Sequence, residues 1–320
     1  MDKDARIYIA GHTGLIGSAV SRCLAGAGFS RLLQPTHAEL ELSDADAVRR
    51  YFEQHRPDYV VLAAGQVGGI IQNQTYPADL ITNNLAIQLN VIKIAHAAGV
   101  RRLLFFASSC MYPRECAQPM SEDMLLTGKP EPTSMAYAAA KLAGVQMCLA
   151  YNQQFGETRF IPLIPNSVYG PNDDFNPGSS HVLSALLHRF HEAMTSGARE
   201  VTLWGSGTPR REFIHADDLA AACLMLLSTP IFDVPLPINV GSGKDISIQE
   251  LAEKAAKVTG FSGNIRWDTS KPDGAPRKLL DSSRIQGLGW SPSIDLERGL
   301  EDTYRWYLSN IRSTAQSPLQ

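Results

Sequence analysis

The sequence predicts an α/β protein: a Rossmann-type doubly wound parallel sheet with a smaller α/β lobe for a substrate. Three observations carry this. Short apolar runs alternate with helical stretches through the first half of the 320 residues. A glycine-rich turn, Gly11-His12-Thr13-Gly14-Leu15-Ile16-Gly17, joins the first apolar run to the first helix. Tyr137 and Lys141 stand four residues apart in a helix-forming stretch, on one face.

Taken in order, Arg6-Ile7-Tyr8-Ile9-Ala10 is an apolar run suited to a buried parallel strand, and after the glycine turn Ser18 to Ala27 reads as a helix. Leu32-Leu33 is a second, short strand, and Ala45 to His55 a helix. Tyr59-Val60-Val61-Leu62-Ala63-Ala64 is a strand, about Pro77 to Ala98 a long helix, and Leu103-Leu104-Phe105-Phe106-Ala107 the next strand. Ser134 to Tyr151 is a second long apolar helix. This is a right-handed βαβ series, which sets Ser108 just past the carboxyl end of a strand, where open α/β sheets bind ligands. From Asn172 the pattern loosens into loops rich in Gly, Pro and Ser, broken by helices near His181 to Thr195, His215 to Leu227 and Ile248 to Thr259. The expected organisation is a dinucleotide domain over 1–171 plus parts of 213–242, a substrate lobe over 172–212 and 243–312, and a polar, frayed tail over 313–320. No internal repeat breaks this plan.

Composition excludes other classes. The net charge is −3 and Lys and Arg form no run or basic face, which argues against a nucleic-acid partner. Apolar stretches such as Leu219 to Leu227 are too short to span a bilayer, and Met1-Asp2-Lys3-Asp4 is no signal peptide, so no membrane partner is expected. Cys23, Cys110, Cys116, Cys148 and Cys223 have neither paired nor metal-ligand spacing, which suggests a reducing cytoplasm and calls for no metal.

The chemistry is concentrated in two segments. The glycine turn, at a strand end and a helix start, lets backbone approach a pyrophosphate whose charge then sits at the helix N-terminus. Ser108-Ser109-Cys110-Met111-Tyr112-Pro113 and Tyr137-Ala138-Ala139-Ala140-Lys141 supply the rest. Lys141 is expected to depress the Tyr137 phenol toward working pH and to hold a nicotinamide ribose, and Ser108 to bind the carbonyl oxygen being reduced. Cys110 adds a second proton-handling group. It is either a base or a small packed hydrophobe, as most free cysteines are. His181, taken alone, reads as a residue that caps or packs at a helix start, and His12 as support for its loop. Cys116, Cys148 and Cys223 read as structural.

The GxxGxxG spacing is that of the extended short-chain dehydrogenase/reductases, and nearly end to end the chain resembles the GDP-L-fucose synthase family within them. The resemblance is carried by Ala10-Gly11-His12, Val67-Gly68-Gly69-Ile70, Tyr76-Pro77-Ala78-Asp79, Ser108 to Pro113, Tyr137 to Lys141, Tyr169-Gly170-Pro171, Ser180-His181-Val182, Trp204 to Phe213 and Ser270 to Asp281. The last two segments belong to the nucleotide-sugar lobe and discriminate most. The resemblance implies a bifunctional 3,5-epimerase and 4-reductase that turns GDP-4-keto-6-deoxy-mannose into GDP-L-fucose. Ser108, Cys110, Tyr137, Lys141 and His181 match its catalytic set, with Cys110 and His181 as base and acid. It implies cofactor contacts from Gly11, His12, Thr13, Gly14, Leu15, Ile16, Gly17, His37, Ala107, Ser108, Ser109, Tyr137, Lys141, Pro165, Asn166, Ser167, Val168 and His181. Arg189, Trp204, Arg211, Lys271, Asp273 and Arg277 match positions that hold the GDP-sugar, although Arg189 on a helix reads equally as a solvated face. A homodimer through the two long helices is implied as well.

Two departures keep alternatives open. Where the family often places Arg against the 2′-phosphate of NADP, this chain has Thr13 and His37, with Arg31 and Thr36 nearby; equally, Gln34-Pro35 supplies no acidic acceptor for a ribose hydroxyl. The family favours NADPH, and NADH is not excluded. Pro165-Asn166-Ser167-Val168 replaces Pro-Thr-Asn, which leaves the sugar between the 6-deoxy-mannose derivative and a related GDP-4-keto sugar, a 3,6-dideoxy hexose leading to colitose or a 6-deoxy-heptose. A non-catalytic dinucleotide sensor or scaffold is the reading from another class.

Overall fold

The computed structural model describes residues 1–229, 236–271 and 273–314. Its larger sheet is wholly parallel, in the order β2 (Leu32–Leu33), β1 (Ile7–Ala10), β3 (Tyr59–Leu62), β4 (Arg102–Phe106), β5 (Phe160–Pro165) and β9 (Ile238–Val240). The order reverses at β1, the place where such sheets open a ligand crevice.

Helices cover both faces, so successive strand residues enter two different cores. Ile7 and Ile9 pack under α1 (Leu15–Gly26) and α7 (Ala216–Ser228), against Val20, Leu24, Leu219 and Leu226. Tyr8 and Ala10 face α2 (Ala45–His55), α4 (Pro77–Ala97) and α5 (Met135–Phe155), where Phe52, Val91, Ile92 and Val145 are fully buried. Each such aliphatic side chain contributes about 1.5–3 kcal/mol. Cys148 and Cys223 lie in these cores, where burial pushes both thiols up, so they pack as apolar groups.

Helix starts follow local chemistry. Asp44 caps α2 by accepting from Asp46 N and Ala47 N, and Ser247 caps α8 (Ile248–Thr259) in a reciprocal arrangement with Glu250. Both helices have the expected bounds. The first helix begins three residues earlier than Ser18, because Gly14, bonded to Gly11 O, already serves as its N-cap. A short α3 (Ile70–Thr75) precedes α4.

The smaller lobe holds a mixed sheet in which β8 (Arg210–His215) pairs with β10 (Asp245–Ser247), β12 (Arg277–Lys278) and β6 (Ser167–Tyr169), and a parallel pair of β7 (Glu200–Trp204) and β11 (Asn264–Asp268). Its core gathers α6 (Val182–Thr195), α8 and α10 (Leu296–Thr314), around Leu187, Phe190, Leu251 and Leu300. A five-residue α9 (Ser283–Gly287) between β12 and α10 packs back on the larger sheet beside β9, with Ile285 buried in its core. Ser313 and Thr314 close α10; the remainder of the expected tail, 315–320, is outside the described residues. Among the described residues no helix is long and apolar enough to cross a membrane.

Candidate active site

The glycine turn is fixed by lack of space. Gly11 has φ +80°, and a Cβ there would lie 2.9 Å from Ala64 N; a Cβ on Gly17 would lie 2.1 Å from Gly11 O. Neither position admits a side chain. The turn therefore lies flat against the start of α1, whose N-cap uses no side-chain bond, leaving the first amides to face an anion. A cleft of about 470 Å3 runs from the turn between Thr36 and His37 on one side and Ala64, Gly65 and Gln66 on the other. A side chain would be crowded at position 65 as well, where a Cβ would stand 2.8 Å from Asn84 Oδ1 and 3.3 Å from Lys141 Nζ. A bare-backbone cradle, free helix amides and a lysine at the inner end fit a nicotinamide dinucleotide.

At that inner end β4 stops at Phe106, and the chain makes a 3-10 turn over Ser109–Met111. Ser108 caps this turn by accepting from Cys110 N at 3.3 Å, which orients the half-buried thiol. Tyr137 is the third residue of α5 and Lys141 follows one turn later; both are buried. Ser108, Cys110 and Tyr137 are electrostatically linked, because both the Cys110 charge and the Ser108 hydroxyl act on the phenol.

One expectation is corrected here. Lys141 does not depress Tyr137: burial raises the phenol well above its ordinary value, the Cys110 charge adds to this, and only the Ser108 hydrogen bond opposes it. The ammonium is held away, 5.8 Å from the Tyr137 ring, with Nζ donating to Phe106 O at 3.0 Å, and burial pulls its own pKa to about 8. Tyr137 is thereby kept as a protonated phenol, an acid with a proton to give. Reduction needs that form.

His181 is exposed as the N-cap of α6, with Asp173 as its charged neighbour. No hydrogen bond or ion pair joins it to Cys110 among the described residues. Arg189, also exposed, donates Nη1 to Thr202 O at 3.1 Å and so braces the strand that ends in Trp204. Trp204 is 65% exposed, with Lys271 Nζ 5.8 Å over its ring, an open plate for a planar group. Asp273, exposed, accepts from Ser206 N at 2.9 Å and Ser206 Oγ at 2.7 Å, bonds that hold its carboxyl below the usual range and shape the turn after Trp204. Arg211 is half-buried, giving Nη1 to Arg210 O at 2.7 Å. Arg277 pairs with Asp245, as Arg210 does, and lines with Cys110 a second, smaller cleft that ties the reacting turn to the 270–281 segment.

Among the residues around the nicotinamide end, the Asn166 amide is fully engaged by protein. Its Oδ1 accepts from Ser109 Oγ at 3.1 Å and its Nδ2 donates to Glu212 Oε2 at 2.9 Å. Ala107 is buried with its N bonded to Leu163 O, Pro165 ends β5, and Ser167 and Val168 enter β6. Sequence reading passed over Glu212. It is fully buried and accepts also from Leu280 N at 3.0 Å and Gly243 N at 2.7 Å, so one carboxylate gathers β8, the 241–243 loop, the residues after β12 and, through Asn166, the Cys110 turn. Its place inside Arg210-Arg211-Glu212-Phe213 was the available signal. A second brace runs from Tyr112 Oη to Asn239 Oδ1 at 2.6 Å, and from Asn239 N to Glu122 Oε1 at 2.8 Å.

Comparison with known proteins agrees with this geometry. Residues 7–241 match the NAD dependent epimerase/dehydratase family. The chain is 52% identical over 310 residues to GDP-L-fucose synthase 1 of Arabidopsis thaliana, covering 97% of this chain and 95% of that protein. It is 49% identical over 313 residues to GDP-L-fucose synthase of Escherichia coli K12, covering 95% and 97%. A crystal structure of a GDP-L-fucose synthetase from Naegleria fowleri bound to NADP superimposes with a TM-score of 0.89 at 29% identity, covering 98% of this chain and 95% of that one. The chain thus belongs to the NAD dependent epimerase/dehydratase family and, within it, to the GDP-L-fucose synthases.

Proposed function

We propose that this chain converts GDP-4-keto-6-deoxy-D-mannose to GDP-L-fucose, by epimerisation at carbons three and five followed by reduction at carbon four with NADPH. The observation that carries this reading is the joining of a reductase pair, Tyr137 and Lys141, to a thiol on the adjoining turn, in a chain about half identical to GDP-L-fucose synthases over nearly its whole length.

The 4-keto group acidifies the protons on the two neighbouring carbons. Cys110, as the thiolate, removes one; the enolate oxygen is held by the Ser108 hydroxyl and the Tyr137 phenol; and His181, exposed at the start of α6, returns a proton to the opposite face. The bound nicotinamide supplies the hydride for carbon four. Tyr137 gives its proton to the carbonyl oxygen as the alcohol forms, and Ser108 keeps that oxygen in line. Lys141 lies where a nicotinamide ribose would exchange its bond to Phe106 O for bonds to the sugar hydroxyls. Trp204, Lys271, Arg211 and Arg277 offer the plate and cations for guanine and pyrophosphate, with Arg189 and Asp273 supporting the Trp204 strand and turn. In this reading 1–171 with parts of 213–242 hold the dinucleotide, and 172–212 with 243–312 hold the GDP-sugar.

The protein acts as a cytoplasmic homodimer in this proposal; α4 and α5 pack side by side and expose Leu89 and Phe155, which a second copy would cover. The deciding experiment incubates purified protein with GDP-4-keto-6-deoxy-D-mannose and NADPH and identifies the product by NMR. GDP-L-fucose formed with equimolar NADPH consumption is expected. Recovery of the unchanged ketosugar, with turnover instead of a GDP-4-keto-heptose or dideoxy sugar, would move the substrate to those relatives.

A further inference from the structure

The cleft has an outer end whose charges do not match the phosphate it would meet. In sheets of this type the adenine ribose lies beside the segment following the second strand, here 34–43. That end of the cleft is lined by Thr13, Thr36, His37, Glu41 and Ser43, with no Lys or Arg among the described lining residues. His37 is already engaged, its Nε2 standing 3.1 Å from Glu41 Oε2. Glu41 is fixed in turn by Ser43 N and Ser43 Oγ, both at 2.7 Å, and these bonds hold its carboxyl below the usual range, so it stays ionised at neutral pH. The other charges facing the pocket do not reverse this. Glu39 is bonded to Thr36 N and Oγ1 at 2.7 and 2.9 Å and is also kept ionised, while Asp44 caps α2. His12 acts on Glu39, Arg50 acts on Asp44, and Tyr51 is neutral.

A 2′-phosphate brings a charge of about −1.5 to −2 and is normally met by guanidinium forks. Here it would meet no guanidinium, only two imidazoles that each face a carboxylate, His37 beside Glu41 and His12 near Glu39. A plain 2′-hydroxyl, by contrast, needs a single acceptor, and Glu41 brings one from the next loop, where the end of β2 itself has none.

We propose that this pocket relaxes cofactor selectivity: Glu41 accepts the ribose 2′-hydroxyl of NADH, His37 meets the 2′-phosphate of NADPH, and both reduced dinucleotides bind and serve as hydride donors. Glu41 is the specificity-determining residue, since it favours one cofactor and repels the other. The inference rests on the dinucleotide reading of the cleft given above.

The test titrates the full chain, without sugar nucleotide, with NADH and with NADPH, following nicotinamide fluorescence to obtain the two Kd values. Charge-assisted bonds of this kind set the scale, so the wild-type values are expected within about tenfold of each other. Glu41→Gln should move the ratio toward NADPH by about tenfold. His37→Arg should tighten NADPH and leave NADH unchanged, and this variant decides the matter if Glu41→Gln fails to fold. A wild-type preference for either cofactor beyond tenfold, or a ratio unmoved by both substitutions, overturns the proposal while leaving the reductase reading in place. Binding of neither dinucleotide would overturn both.

Discussion

Lys141 should make the protein less stable at the pH where it works. Its ammonium is enclosed between α5 and the end of β4, with a backbone carbonyl as its hydrogen-bond partner and no paired carboxylate among the described residues. Burial is what brings its pKa from 10.5 to about 8. Between those values the unfolded chain binds a proton that the native chain does not, so stability rises with pH across that window, and below about pH 8 the whole penalty is present. At about 1.4 kcal/mol per pH unit, the fall from 10.5 to about 8 amounts to about 3 kcal/mol. Lys141→Met keeps the length and loses the charge, at a cost of about 1 kcal/mol for the bond to Phe106 O. The variant should therefore exceed wild type by about 2 kcal/mol at pH 7, with that margin gone by about pH 9.5. Urea denaturation of both proteins at the two pH values measures it. A margin that stays constant with pH, or widens, refutes the argument, because no other residue's titration differs between the two chains. The reductase step should be lost in the same variant. Stability would then be gained by removing a functional group, which is the trade expected of a buried catalytic charge.

The two chemistries should separate by mutation. Tyr137→Phe should slow reduction by about 10²–10⁴-fold, while solvent deuterium still enters the ketosugar at carbons three and five; Cys110→Ser should lose that exchange and retain NADPH binding. Exchange at the wild-type rate in Cys110→Ser, read by NMR, would remove the thiol from the role of base. Glu212→Ala removes the acceptor of three donors and leaves Leu280 N buried without a partner, while Asn166 Nδ2 keeps only its bond to Lys278 O; at about 1 kcal/mol each the Tm should fall by about 4 °C, and a melt within 2 °C of wild type would deny it the bracing role.

What the sequence made legible follows a physical division. The period of a strand and the chemistry of a helix start are local, so β1, α2 and α8 lie where Ile7-Tyr8-Ile9-Ala10, Asp44 and Ser247 with Glu250 place them. The glycine turn is local in part: Gly17 is required by its contact with Gly11 O, one turn away, whereas Gly11 is closed in by Ala64 N, from beyond the end of β3. The misread relation, Lys141 acting on Tyr137, shows the limit of such reasoning: helical spacing set both side chains on one face, but the partner that takes the ammonium is Phe106 O, supplied by a strand 35 residues earlier. Glu212 was out of reach for the same reason, since its partners come from positions 166, 243 and 280. Glu41 lies between these cases. Its contacts with His37 and Ser43 are local, yet its meaning depends on the cleft into which β1 and β2 fold it. A residue's identity is thus readable when its partners are near in sequence, and its role when the space it faces is known. This chain's departure at positions 13 and 37 was visible as a loss of cations, and only the fold turns that loss into a carboxylate at the ribose.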